Sequence, residues 1–279
     1  MPNYAYHWAR AEGGFVRRMY RALLSKIVAR KITPRDSVPF EVFAYSGHDT
    51  LPEQVASIRS FLRHAGRPTR FTIVSDGTHT KEDVELLQQI DPSVVMEELP
   101  SIPAQLPVAF ASYLQSHPTG KQLALIMSLP RTEPALYVDS DIYFFPHARD
   151  LATLARTTAV PAFYLLDCQF SGDARLIRSP NERERPVNTG ALFLFQRLDW
   201  SLGLERFAQL NGAPNFFTNQ TITHLVMHAN SASPLDPAKF VLQLDDQTIH
   251  RDLYAGDRLA LRHYVNPVRH KFWTTLWRQ

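Results

Sequence analysis

The stretch Ala135-Leu-Tyr-Val-Asp-Ser-Asp-Ile-Tyr-Phe-Phe-Pro146 decides the fold that the rest of the sequence is expected to adopt. Only Asp139, Ser140 and Asp141 interrupt its apolar and aromatic run, which is typical of a buried strand. Carboxylates two residues apart on an extended chain point the same way, with roughly 6–7 Å of backbone between them. Both can therefore reach one cation, and oxygen ligands suit Mg²⁺ or Mn²⁺. The alternative is that the pair caps a turn or helix at the strand end, as Asp often does.

The segments around this stretch predict an α/β fold. Apolar runs typical of strands occupy residues 40–45, 70–75, 93–99, 160–166 and 191–195, with short late strands at 241–246 and 261–265. Helical patterns fill residues 50–64, 80–90, 106–115, 121–129, 199–212 and 218–228. This βαβα order predicts a single, mostly parallel central sheet with helices on both faces. Open α/β sheets bind ligands at their carboxyl edge, which makes the Asp139–Asp141 segment a candidate metal and diphosphate site.

Composition and charge narrow the class of protein. Of the 279 residues, 44% are apolar and 20% are charged, which is ordinary for a globular protein. No apolar run approaches the length of a membrane span, and no glycine-rich loop of the nicotinamide or P-loop type occurs. The single cysteine, Cys168, indicates a reducing compartment, so a cytoplasmic location is expected. The body of the chain has no zinc-finger spacing and no basic helix, so nucleic acid is not an expected partner.

The basic charge is concentrated at the N-terminus. Residues 1–35 hold eight Lys/Arg and one Glu, a net charge of +7, which leaves −4 for the other 244 residues of a chain whose total is +3. Residues 14–31 have helical period, with two adjacent apolar rows, one of Phe15, Met19, Leu23 and Ile27 and the other of Val16, Tyr20, Leu24 and Val28. We therefore divide the chain into a basic amphipathic arm, residues 1–37, and a main domain, residues 38–279. The arm either lies on the anionic inner face of a membrane or packs on its own domain.

Several polar residues beyond the Asp pair are candidates for a site. His263, which follows a short apolar strand, is either an ordinary hydrogen-bonded histidine or part of a metal shell with Asp139 and Asp141. Arg269 and Lys271 either neutralise phosphate oxygens or belong to a solvated basic tail.

A second group of candidates follows the strand at 160–166, which ends at Asp167. Asn188-Thr189-Gly190 either places an amide near a polar ligand, with Gly190 permitting close approach, or forms a bulge at a strand start. Gln220 lies in the first turn of a helix, where capping does not readily explain it. His224 and His228 lack the glutamate of the zinc-protease pattern, so a structural role is favoured. Residues 171–186 form a long polar loop of the kind that often serves as a lid.

Taken in order, these stretches resemble one family. A strand ending in Asp-x-Asp, a later Asn-x-Gly strand, a helix bearing Gln220 and a C-terminal His-Tyr…Lys-Phe-Trp follow an early α/β half. This order is similar to that of GT-A fold glycosyltransferases, in particular the retaining group that includes glycogenin and the bacterial lipooligosaccharide galactosyltransferases. The resemblance covers roughly residues 40–275.

The resemblance implies roles for individual residues. It implies that Asp139, Asp141 and His263 hold Mn²⁺ or Mg²⁺, which bridges the diphosphate of a nucleotide sugar. It implies that Ala44 and Tyr45 contact the base with Asp76 nearby, and that Lys121 is a basic donor-binding residue. Asn188 and Gln220 would line the sugar face, and with Asp167 they are our candidate catalytic residues. The family's tail pattern, His-x-x-Gly-x-x-Lys-Pro-Trp, is altered here, because Lys271 is two residues further from His263. Whether Arg269 or Lys271 meets the diphosphate therefore stays open.

The expected function is that of a metal-dependent glycosyltransferase. It would move a hexose from a nucleotide-diphosphate sugar, preferably a UDP-sugar and possibly a GDP-sugar, to a hydroxyl acceptor on a glycan, glycolipid or envelope polysaccharide. One alternative is a phosphatase of the haloacid dehalogenase type with Asp139 as the nucleophile. That class carries its Asp-x-Asp on the first strand, whereas here the pair comes late. The other alternative is a non-catalytic nucleotide-sugar-binding domain.

Overall fold

The computed structural model describes residues 3–34, 36–156 and 159–278. Residues 1, 2 and 35 of the predicted arm, and residues 157, 158 and 279 of the predicted domain, lie outside the described residues. Within the described ranges the chain forms the α/β architecture that the sequence predicts: one large, mostly parallel sheet with helices packed on it. The helices are α1 Tyr4–Ala22, α2 Leu24–Ala29, α3 Leu51–His64, α4 Lys81–Gln88, α5 Val108–Ser116, α6 Pro118–Met127, α7 Leu151–Leu154, α8 Ser201–Ala208, α9 Thr218–Ala229 and α10 Arg269–Arg278.

The large sheet has seven strands in the order β3-β2-β1-β4-β7-β6-β8. The strands of the protein are β1 Ser37–Ser46, β2 Arg67–Ser75, β3 Val94–Glu97, β4 Ala135–Asp139, β5 Ile142–Phe144, β6 Ala162–Leu166, β7 Val187–Leu194, β8 Ser233–Pro234, β9 Phe240–Val241 and β10 Leu261–His263. Strand β7 runs antiparallel to both of its neighbours, β4 and β6, whereas the other pairs of this sheet are parallel.

A second, three-stranded sheet, in the order β5-β10-β9, is not anticipated by the sequence. The apolar run from Ala135 to Pro146 is two strands rather than one, because the chain leaves the large sheet at Asp139 and enters the small one at Ile142. The late strands are also shorter than predicted, since the expected strand at 241–246 is only the two-residue β9. Pairing of β10 with β5 sets His263 opposite Ile142, next to Asp141. The small sheet therefore carries the histidine to the end of β4.

The N-terminal arm packs on the body through one of its two apolar rows. Helix α1 begins at Tyr4, ten residues earlier than predicted, because the side chain of Asn3 accepts a hydrogen bond from the backbone of Tyr6 and caps it. The inner row of Val16, Leu24 and Val28 is buried, and Tyr20 contacts Trp273 of α10 with ring centroids 5.2 Å apart. The outer row stays exposed at Phe15, Met19 and Leu23. None of the described helices is long and apolar enough to cross a bilayer.

The segment between β6 and β7 is fastened to the helices beneath it. Buried Asp173 accepts hydrogen bonds from Arg175 and from the hydroxyl of Thr218. Glu182 forms an ion pair with Arg206 of α8 at 2.6 Å. These contacts tie residues 171–186 to α8 and α9 in this structure.

Candidate functional site

Asp139, Asp141 and His263 meet at the carboxyl end of β4. The ligand atoms of the three side chains all lie within 4.8 Å of one another. The Nε2 atom of His263 is 3.0 Å from Asp141 Oδ1 and 3.6 Å from Asp139 Oδ2. Asp139 is the last residue of β4, Asp141 lies in the turn between β4 and β5, and the imidazole comes from the last residue of β10. Two carboxylate oxygens and one imidazole nitrogen form a donor set that fits Mn²⁺ or Mg²⁺.

A hydrogen-bonded chain holds Asp139 from below. Its Oδ1 accepts from the Tyr137 hydroxyl at 2.8 Å and from Gln122 Nε2 at 2.9 Å, which leaves Oδ2 on the side of His263. Gln122 Oε1 in turn accepts from Asn219 Nδ2 at 2.7 Å. Sequence reasoning missed Gln122 and Tyr137. Tyr137 had a usable signal, because residues two apart on a strand point to the same side; Gln122 had none.

Asn188 fixes the direction of His263. Its Oδ1 accepts from His263 Nδ1 at 2.9 Å and from the backbone of Gly190 at 2.8 Å. Because an amide oxygen only accepts, the Nδ1 atom carries a hydrogen and Nε2 is directed at the two carboxylates. Gly190 is required for this approach, since a Cβ there would overlap the imidazole ring of His263.

The two carboxylates of the Asp pair differ in pKa. Burial alone raises the pKa of Asp141, but His263 and Arg269 outweigh it and bring that pKa down to about 2. Arg269 Nη2 donates to Asp141 Oδ2 at 2.5 Å. Burial raises the pKa of Asp139, and the positive charges of His263 and Arg269 do not fully offset that effect. The imidazole of His263 has a raised pKa because Asp141 outweighs the effect of its burial. The centre thus combines negative carboxylates with nearby cationic groups, as a site for a metal and a phosphate requires.

A cavity of about 310 Å³ opens beside this centre. Gln220, Asn188 and Asp167, the three candidate catalytic residues, all line it. Asp167 Oδ2 accepts from Asn188 Nδ2 at 3.1 Å and from Gln220 Nε2 at 3.3 Å, so the three side chains form one polar cluster. Phe216 and Phe217 also line the cavity and are exposed, with 68% and 42% of their surfaces accessible. An apolar wall facing a polar cluster is suited to a small ligand with several hydroxyl groups.

The residues expected to bind the nucleotide lie at the neighbouring strand ends. Tyr45 of β1 is in register with Asp139 of β4, and Ala44 precedes it in the buried interior of the strand. Lys121 Nζ donates to the backbone carbonyl of Asp76 at 3.4 Å. Ser140, 8% exposed, occupies the turn between β4 and β5. Asp139 apart, none of these residues is among those that line the cavity described above.

Lys271 is not at the site, which corrects the prediction that it could bind the diphosphate. Its side chain is fully buried, and Nζ donates to the backbone carbonyls of Ile249 and Arg251 at 2.7 Å each. Asp246 Oδ2 lies 3.5 Å away and balances its charge. Arg269, the other candidate, does line the cavity.

His224 and His228 have structural partners. The Nε2 atoms of the two rings face the backbone carbonyls of Glu182 and Arg185, at 2.5 and 3.2 Å. His224 Nδ1 accepts from the backbone of Val187 at 3.2 Å. Both rings therefore hold the segment before β7 in place, in agreement with the structural role that the sequence favoured.

The sheet order, with the Asp pair at the end of β4 and a small second sheet beside it, is that of the GT-A fold. A galactosyltransferase, LgtC, solved with donor and acceptor sugar analogs, has this fold, with a TM-score of 0.55 and 12% identity over 85% of this chain and 95% of that chain. Mouse xyloside xylosyltransferase 1 gives a TM-score of 0.54 and 12% identity over 84% of this chain and 99% of that one. The glycosyltransferase GlyE of Streptococcus pneumoniae gives 0.52 and 15% over 86% and 60%. No protein-family model and no curated sequence matches the chain.

Proposed function

We propose that the protein is a metal-dependent glycosyltransferase that moves a hexose from a nucleotide-diphosphate sugar, preferably a UDP-sugar, to a hydroxyl acceptor. The observation that carries this proposal is the meeting of Asp139, Asp141 and His263 beside a polar cavity at the carboxyl edge of a GT-A sheet. Ligands of open α/β sheets bind at that edge. A GDP-sugar is the second donor class that the same centre would serve.

The metal-binding residues act with the cations around them. Asp139 Oδ2, Asp141 Oδ1 and His263 Nε2 would hold Mn²⁺ or Mg²⁺. When bound, such an ion offsets the negative charge that develops on a departing nucleoside diphosphate. Arg269, beside Asp141, is in position to donate hydrogen bonds to a phosphate oxygen. Lys121 would supply a second cation from the side of Asp76.

The polar cluster of Gln220, Asn188 and Asp167 would orient the transferred sugar. Asp167 accepts from both amides, and Gln220 Nε2 is further held by the carbonyl of Ser171 at 2.7 Å. Because these side chains are already held in place before the sugar binds, they lose little conformational entropy on binding it. The network can therefore hold the sugar in one orientation for the reaction. Ala44, Tyr45 and Asp76 would contact the nucleotide base at the ends of β1 and β2.

Thermal unfolding of the full chain with UDP or GDP, in Mn²⁺ or in chelator, tests the proposal. At a ligand concentration a hundredfold above Kd, stabilisation of roughly 2.7 kcal/mol is expected, and only with the metal present. Asp141→Asn should remove the shift and the transfer of sugar from the stabilising donor, whereas Asp257→Asn, at an exposed position, should change neither. Unchanged transfer by Asp141→Asn would refute the proposal. Hydrolysis of simple phosphate esters, with no thermal shift from any nucleotide, would indicate the phosphatase instead. Tight nucleotide binding without turnover of any donor would indicate a non-catalytic domain.

We further propose that the acceptor is presented at an anionic membrane to which the outer face of α1 binds. Tyr4, Trp8, Phe15, Met19 and Leu23 lie on one side of the helix and are exposed, Trp8 by 69%. The basic residues Arg18 and Lys26 are exposed in the same arm. An apolar stripe with cationic flanks is typical of helices that lie in the membrane interface. Co-sedimentation with anionic vesicles should be weakened by Trp8→Ala and not by Leu253→Ala, an exposed leucine elsewhere; equal binding of both variants would contradict it.

A further inference from the structure

A second cavity, of about 290 Å³, lies between the arm, α3, β5 and α10. Three arginines line it: Arg30 at the end of α2, and Arg59 and Arg63 on one face of α3. Two tyrosines, Tyr20 from α1 and Tyr143 from β5, complete its polar wall. No acidic residue is among the residues that line it. The glycosyltransferase proposal uses none of these side chains.

Arg59 is half-buried and Arg30 and Arg63 are exposed, and no acidic residue lies among the residues that line the cavity with them. Within the described ranges none of them forms an ion pair, although Arg59 Nη1 donates to the backbone carbonyl of Arg30 at 2.9 Å. Burial lowers the pKa of Arg59, and the positive charges of Arg63 and Arg30 lower it further. Arg17 of the same arm shows the contrast, because it forms an ion pair with Glu53 at 2.6 Å. One arginine of the arm is thus paired with a carboxylate, whereas three other arginines line one cavity without such a partner.

Such an arrangement costs free energy unless something negative enters it. Like charges that share a cavity repel one another, here most strongly at half-buried Arg59, and an anion offsets that repulsion. The two tyrosine hydroxyls add to the same preference. Burial raises the pKa of both Tyr20 and Tyr143, so each phenol keeps its proton and can donate a hydrogen bond to an anion.

We propose that this cavity binds the phosphate group of a phosphate ester, held by Arg30, Arg59 and Arg63. Planar guanidinium groups donate paired hydrogen bonds that match phosphate oxygens, and three cations match a doubly charged group better than a single carboxylate. The cavity has room for an organic substituent beside the phosphate. The same chemistry is offered by a soluble phosphomonoester and by the phosphate headgroup of a lipid below the arm.

Titration of the full chain with glycerol 3-phosphate, in chelator and without nucleotide, tests this site apart from the metal-binding centre. Arg63→Gln is the main variant, because the Arg63 side chain lines the cavity and makes no hydrogen bond or ion pair within the described part of the chain. Arg30→Gln is the second, should the first fail to fold, and Arg197→Gln at an exposed position is the matched control. Affinity should fall by about tenfold or more in Arg63→Gln, since a charge-assisted contact is lost, and stay unchanged in Arg197→Gln.

Without phosphate, Arg63→Gln should unfold at the same temperature as the wild type or higher, because it removes a like charge. Equal phosphate binding by wild type, Arg63→Gln and Arg30→Gln would overturn the proposal, whatever the outcome of the glycosyltransferase experiment.

Vesicles separate the two sources of phosphate. If the ligand is a lipid headgroup, Arg63→Gln should bind phosphatidylcholine vesicles that contain phosphatidic acid more weakly than Arg197→Gln does. If the ligand is soluble, the two variants should bind these vesicles equally while only Arg63→Gln loses glycerol 3-phosphate. Both results support a phosphate site at this cavity and assign its source.

Discussion

At the scale of single residues, His263 can meet Asp139 and Asp141 because Gly190 leaves room for the imidazole ring. Asp139, Asp141 and His263 were found because each interrupts or follows an apolar run, and the structure brings the three together. Gly190 was expected to permit a close approach, and the group that approaches is the imidazole of His263. Gln122 escaped notice because its role depends on where α6 lies against β4, which no local pattern encodes. Lys271 was a candidate for binding the diphosphate because its neighbouring sequence does not distinguish a buried lysine from a phosphate-binding one.

Gly190→Ala should weaken metal binding without unfolding the protein. The added methyl group overlaps His263 Cε1 and Nδ1, so the ring must move away from Asn188 and from the two carboxylates. Loss of an outer hydrogen bond to a ligating histidine typically costs about 10–100-fold in metal affinity. Calorimetric titration with Mn²⁺ measures the change. Gly256→Ala, where a Cβ meets nothing within 4 Å, is the control. Wild-type affinity in Gly190→Ala would show that His263 is not a ligand.

At the scale of elements, sequence periodicity located most helices and strands of the large sheet, but not how they pair. The direction of β7 could not be predicted, because its buried side chains give the same pattern in parallel and antiparallel pairs. The start of α1 was missed for a similar reason. The helix begins where Asn3 caps it, and its early turns reach α10, with Gly13 against the backbone of His270. Contacts between elements distant in sequence contribute to both features, and no local pattern encodes them.

Gly13 should be indispensable for the docking of α1 on α10. A Cβ at Gly13 overlaps the backbone carbonyl of His270, whereas a Cβ at Gly14 meets nothing within 4 Å. Gly13→Ala should therefore lower the melting temperature and speed proteolysis of the arm. Gly14→Ala should stabilise the protein slightly, by up to about 0.5–1 kcal/mol, because alanine favours a helix over glycine. Equal effects of the two substitutions would mean that the arm does not pack as described.

The segment between β6 and β7 should loosen in acid through one carboxylate. The hydrogen bond from Arg206 lowers the pKa of Glu182 to about 2, from an ordinary value near 4.5. A lowered pKa means that this stabilisation is complete above about pH 4.5 and is lost as the pH falls toward 2. The free energy of unfolding in urea should therefore fall more over this pH range for the wild type than for Glu182→Gln. Glu98→Gln, an exposed glutamate, should follow the wild type. Parallel curves for wild type and Glu182→Gln would contradict the assigned ion pair.

At the scale of the whole molecule, the order of motifs was more informative than any one of them. The GT-A fold was predictable because strands, Asp pair, Asn-x-Gly strand and terminal histidine follow one another in a set sequence. The phosphate cavity was not predictable, because its arginines come from residues 30, 59 and 63 and meet only when the arm packs on α3. Charge, by contrast, was readable at once: +7 in residues 1–35 against −4 in the remainder.

This division of charge predicts how vesicle binding depends on salt. Each Lys or Arg near an anionic surface contributes about 1 kcal/mol, and the field decays over a Debye length of about 30 Å at 0.01 M and about 8 Å at 0.15 M salt. Binding of the full chain to anionic vesicles should therefore fall by more than about tenfold between these salt concentrations, while the negative body keeps the basic arm turned to the surface. Vesicles of phosphatidylcholine alone should bind weakly at both. Binding that does not change with salt would show that the apolar row of α1 binds the membrane without help from the arm's charge. Failure to bind either kind of vesicle would contradict the proposal that the outer face of α1 binds membranes.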